Sequence, residues 1–94
     1  MSRFLLFLMS KAHAEKRAQQ ELNDWEHCTC RGSDFYHQKD YKSAILQFEQ
    51  ALEHARVGLA CRSERATFMR YYTLARVNLA EALSCHQPRQ DKVT

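Results

Sequence analysis

Glycine and proline are almost missing from this chain, with two glycines and one proline in 94 residues. An all-β domain needs a turn residue every dozen positions or so, and collagen-like, linker-like or disordered segments need far more of both, so those classes are excluded. With two glycines, neither ahead of a strand pattern, no phosphate-cradling loop can be built. No apolar run approaches the ~20 residues that span a bilayer, and no Cys-x-x-Cys or His-x-x-x-His pair is present. Charge of one sign is also lacking. Fourteen Lys and Arg stand against 11 Asp and Glu, and a net charge of +3 does not by itself mark a nucleic-acid binder.

What remains is rich in Ala, Leu, Glu, Gln, Lys and Arg, the residues that favour helix. The fold class expected is all-α, in one small domain over residues 1–94. The four cysteines lie in helical patterns rather than in a loop-rich scaffold, so reduced thiols and a cytoplasmic setting are expected. The apolar run at 4–9 is shorter than the hydrophobic region of a typical secretory leader, about 7–15 residues, and Lys11 interrupts the approach to Ala12-His13-Ala14. That pattern disfavours a cleaved signal or a membrane anchor. The run reads instead as the start of an N-terminal helix over 1–22 that packs onto the domain.

Asn23 followed three residues later by Glu26 fits a capping box, predicting that a new helix begins there. Trp25, Cys28, Gly32 and Phe35 then share one face. Gly32 inside a helix costs about 1 kcal/mol relative to alanine, which suggests close approach of a second helix. His37-Gln38-Lys39-Asp40 reads as a turn, with Asp40 as the next N-cap. Tyr41, Ala44, Ile45, Phe48, Ala51, Leu52, Ala55 and Leu59 follow at helical spacing, with Lys42, Gln47, Glu49, Gln50 and Glu53 opposite. Joined by so short a turn, the two helices form an antiparallel hairpin over 24–57, with Phe48 filling the space beside Gly32, Ala44 and Ala51. Gly58 loosens or ends the second helix, and Ser63 caps a third over 63–86, carrying Phe68, Tyr71, Tyr72, Leu74, Ala75, Leu79, Ala82 and Leu83. Pro88 stops it, and residues 87–94 form a polar, frayed tail.

The hairpin resembles a tetratricopeptide repeat (TPR). With Trp25 at the first position of that motif, Gly32 falls on the eighth, Phe35 on the eleventh and Tyr41 on the seventeenth. Ala44, Phe48 and Ala51 occupy the 20th, 24th and 27th. Cys28 and Arg31 depart from the motif, which prefers tryptophan and leucine there, and no closing proline stands near Arg56. A weaker second register sets Leu74 and Ala75 at the seventh and eighth positions. It resembles the long-helix repeats of kinesin light chains, although Asn78 stands where an aromatic is expected. The resemblance implies binding rather than catalysis, through a concave face of Glu26, Thr29, Ser33, Tyr36 and His37, then Met69, Tyr72, Arg76, Leu79 and Ala80. Threonine and serine stand where a carboxylate clamp would need lysine and asparagine, so a segment held by aromatic anchors fits better than a peptide C-terminus.

No nucleophile, base and oxyanion donors assemble in the pattern, so no enzyme activity, catalytic residue or cofactor is expected. His27-Cys28-Thr29-Cys30 offers metal-ligand types, but on a helix Cys28 and Cys30 point about 200° apart, and no metal site is expected. The expected function is a small adaptor that binds a protein segment. One and a half repeats leave an apolar side of the third helix open, for which a second copy in a homodimer is the favoured cover. The alternative is binding of nucleic acid or an acidic surface through Arg56, Arg62, Arg65, Arg70 and Arg76, opposed locally only by Glu64. It lacks a recognition-helix signature, which disfavours nucleic acid, and membrane partners are disfavoured too.

Overall fold

A computed structural model describes residues 2–86, with side chains described from Glu15 onward apart from Ser63. The order is α1 (Ser2–His37), α2 (Tyr41–Gly58), a 3-10 turn (Arg62–Glu64) and α3 (Arg65–His86). Among the described residues there is no strand, and the fold is all-α. Helices α1 and α2 form the antiparallel hairpin, and α3 packs against the other side of α2. The polar tail expected at 87–94 lies outside the described residues, as do any side-chain contacts of the apolar run at 4–9.

The helix boundary expected at Asn23 is not there, because α1 runs unbroken through it. Two local bonds take up the Asn23 side chain and that of its neighbour Asp24. Gln19 Nε2 donates to Asn23 Oδ1 and Gln20 Nε2 to Asp24 Oδ1, both at 3.1 Å across one helical turn. Pairs at this spacing stabilise a helix by about 0.2–0.5 kcal/mol each. The larger cause is the inward row Ala18, Trp25, Cys28 and Gly32, all buried, whose helical period crosses Asn23-Asp24 without a shift. A break there would turn one half of that row away from α2.

The turn to α2 closes as the spacing predicts, with one unexpected residue. Asp40 caps α2 by accepting from the Ser43 backbone N–H at 3.2 Å. Before it, Asp40 N–H reaches Phe35 O at 2.9 Å and Lys39 N–H reaches Tyr36 O at 3.0 Å. Together these form a Schellman closure, which needs a left-handed residue at its corner. That residue is Lys39, at φ 65°, where glycine is the usual occupant.

Helix α2 is the spine. Ala44, Ala51 and Ala55 are buried on it, letting α1 and α3 approach its backbone from two sides. One core cluster joins Trp25, Cys28, Ala51, Ala55 and Ala75, with Leu52, Tyr71 and Tyr72 packed on it. The second joins Ala44, Phe48 and Ala82, with Phe35, Tyr36, Ile45 and Leu79 around it. Across the molecule the Trp25 and Tyr71 rings stack at 4.1 Å between centroids, tying α1 to α3. A β-carbon on Gly32 would lie 2.5 Å from the Phe48 ring, the close approach inferred from the sequence. Gly58 ends α2, and a β-carbon there would lie 2.1 Å from the Phe68 ring. The third helical segment does not start on a Ser63 cap: Ser63 sits within the 3-10 turn, whose N-cap is Cys61, with no side-chain cap bond.

Candidate functional site

Because α2 holds α1 and α3 apart over much of their length, an open groove lies between those two helices. It has a volume of about 250 Å³ and is lined by Thr29, Ser33, Tyr36 and His37 of α1, Asn78 and Glu81 of α3, and Phe48 of α2. Thr29, Ser33 and Tyr36 share one α1 face at helical spacing, and the Phe48 ring reaches this floor because Gly32 leaves room for it.

Tyr36 links the two walls. Its hydroxyl donates to Glu81 Oε2 at 3.1 Å and lies 3.5 Å from Cys85 Sγ. Hydrogen bonding to Cys85 first, and then to Glu81, holds the phenol protonated well above its ordinary range. Its ring meets Tyr41 edge-on at 5.4 Å and His37 at 6.0 Å. Thr29 Oγ1 is buried with no hydrogen-bond partner among the described residues.

Four of the residues expected on the concave face, Thr29, Ser33, Tyr36 and His37, are therefore brought together. Glu26 is exposed on α1 and does not line the groove. The α3 members sit elsewhere. Tyr72 and Leu79 pack into the two core clusters, Met69 is 55% exposed, and Ala80 is exposed. Arg76 sets its guanidinium 6.0 Å from the Tyr72 ring centroid. The α3 side chains that face α1 are instead Tyr71, Asn78, Glu81 and Cys85, a row with helical spacing. The last three are not among the residues expected from the sequence, because polar residues do not register in an apolar stripe.

The metal-ligand types at 27–30 do not converge. Cys28 is buried, and its thiol donates to Gln50 Oε1 at 3.7 Å, whereas His27 and Cys30 are exposed. Burial, reinforced by the Asp24 charge, pushes the Cys28 thiol up. All four cysteines are free. Among the described residues one group of potential ligands does come together: Glu21, Asp24 and His54, whose ligand atoms lie within 4.8 Å of one another. His54 Nδ1 and Glu21 Oε1 are 2.7 Å apart across the α1–α2 seam.

The arginines do not form one free surface. Arg56 is paired with Glu53 one turn away, which lowers the Glu53 carboxyl and raises the guanidinium. Arg62, Arg65 and Arg70 are exposed. Among the described residues no helix is long and apolar enough to cross a membrane. No protein-family model matches the chain, and no curated protein or solved structure shows significant similarity to it.

Proposed function

We propose that this chain is a small, non-catalytic, TPR-like interaction module that holds a segment of another protein in the groove between α1 and α3. The observation that carries this reading is the groove itself. Two helices face each other across a supporting third, and their facing side chains offer hydroxyl, amide, carboxylate and aromatic groups. Such a surface suits an extended segment, whose backbone needs donors and acceptors along its length and whose side chains need an aromatic floor. The Arg-rich alternative gains less, because Arg56 is already paired and Arg76 lies over a tyrosine ring.

We extend the proposal to self-association, on the strength of the exposed α3 residues Met69, Leu74, Val77 and Leu83. A cytoplasmic setting is part of the same reading and rests on four free thiols.

Selection of random linear peptides on phage against the full-length chain tests the groove. A related peptide family should emerge, and Ser33→Arg and Asn78→Arg, which fill the groove from opposite walls, should each abolish its binding. Helicity measured by circular dichroism should be unchanged. No enriched family, or a family indifferent to both variants, would remove the groove from consideration.

A further inference from the structure

We infer that Glu21, Asp24 and His54 form a divalent metal site that clips the C-terminal half of α2 to α1. The ligand types come from two helices. Glu21 and Asp24 stand three residues apart on α1 and therefore project from one face, while His54 reaches them from α2. Their ligand atoms lie within 4.8 Å of one another, so they share a centre no farther than about 2.8 Å from each. Zinc–nitrogen and zinc–oxygen bonds are about 2.0–2.2 Å long, so side-chain adjustments well under an ångström close the triad on an ion. All three residues are half-buried, with side-chain exposures of 30% for His54 and 15% for Glu21.

Charge points the same way. Two carboxylates converge on one imidazole, and among the described residues neither carboxylate is paired with a lysine or an arginine. Among the described residues Asp24 accepts only a neutral amide, from Gln20. At a half-buried seam, like charges this close are weakly screened, and a divalent ion neutralises both. One imidazole and two carboxylates suit a borderline ion of the zinc class. A soft ion such as Cu(I) prefers thiolates, and Ca²⁺ wants six to eight oxygens. Nothing in the pattern announces this site, because His54 stands far from Glu21 in the chain and meets it only through the hairpin.

The test uses the full-length reduced chain stripped with a chelator and titrated with Co²⁺ and then Zn²⁺. Expected are one Co²⁺ per chain, a spectrum without the intense thiolate charge-transfer band, and a thermal midpoint that rises on adding Zn²⁺. His54→Ala and Asp24→Asn should each weaken binding about tenfold or more. Exposed His27→Ala should leave binding unchanged. Asp24→Asn keeps the His54–Glu21 contact, so it remains informative if His54→Ala folds poorly. Failure to bind stoichiometrically, a thiolate band, or wild-type affinity in Asp24→Asn overturns the site. The result is independent of the groove, which lies on the other flank of α1.

Discussion

The Phe68 ring lies against Gly58, in space that any β-carbon at that position would occupy. Phe68 is fully buried, and Gly58 is the last residue of α2, so this contact fixes how the chain turns back into α3. The glycine is not there for backbone freedom, since neither glycine has a positive φ. Gly58→Ala must displace the ring, and overpacking of this kind costs about 1–3 kcal/mol. A lower urea midpoint with an unchanged slope is expected. Gly32→Ala meets Phe48 in the same way, but the helix-propensity gain of about 1 kcal/mol offsets part of its cost. A Gly58→Ala variant as stable as wild type would show that the ring is not held there.

Lys39 supplies the opposite case, a position that wants glycine and lacks it. A left-handed backbone costs a residue with a β-carbon about 1–2 kcal/mol, and Lys39 is exposed at φ 65°. Lys39→Gly should therefore stabilise the hairpin by about 1 kcal/mol after the glycine's greater unfolded-state entropy is subtracted. Lys39→Val should destabilise it. Thermal melts of the two variants should shift in opposite directions, and equal shifts would contradict the Schellman closure.

How far the fold is legible before it is seen follows from these contacts. The α1–α2 hairpin reads directly, because Gly32 and Phe48 sit on apolar stripes separated by one short, cap-marked turn. Asn23-Asp24 misleads because both are weak helix formers that resemble caps. Burial of Ala18 and Trp25 on either side outweighs the few tenths of a kcal/mol that such residues cost in a helix. The groove is half legible. Its α1 wall follows from the hairpin, but its α3 wall depends on the rotation of α3 about its own axis. That rotation is set by Phe68 seating on Gly58 and by Tyr71 stacking on Trp25. Neither contact leaves a periodic mark, so Asn78, Glu81 and Cys85 stay hidden while Met69 and Arg76 look better placed than they are.

Tyr36 carries a spectroscopic signature. Its bonds to Cys85 and Glu81 favour the protonated phenol in the folded state, so its folded pKa lies above its unfolded one. The stabilisation is full below the unfolded phenol value of about 10 and is lost as pH rises beyond it. In an ultraviolet pH titration one tyrosine should ionise later than the others, and Tyr36→Phe should remove that late step. Because the ring keeps its contact with Tyr41, Tyr36→Phe should leave the fold and its helicity unchanged. A titration with no late step in the wild type would show that the Tyr36 bridge does not persist in solution.

The outward face of α3 separates folding from association. Val77 is 59% exposed and Leu74 44%, whereas Leu79 packs against the cluster of Ala44, Phe48 and Ala82. An aspartate at half-buried Leu79 therefore sets a charge against that cluster and should destabilise the fold, which makes it a poor probe of self-association. Val77→Asp leaves the core untouched and places a charge among the exposed apolar residues that a second copy would cover. In light scattering coupled to size exclusion, the wild-type chain should approach a dimer as concentration rises. Val77→Asp should raise the dissociation constant tenfold or more, equivalent to about 1.4 kcal/mol, at unchanged helicity. Since a two-fold dimer uses the same patch on both copies, each substitution counts twice at the interface, and Leu74→Asp should act in the same direction. A wild-type chain that stays monomeric at every concentration, or a Val77→Asp chain that still dimerises, would leave the α3 face uncovered by its own kind.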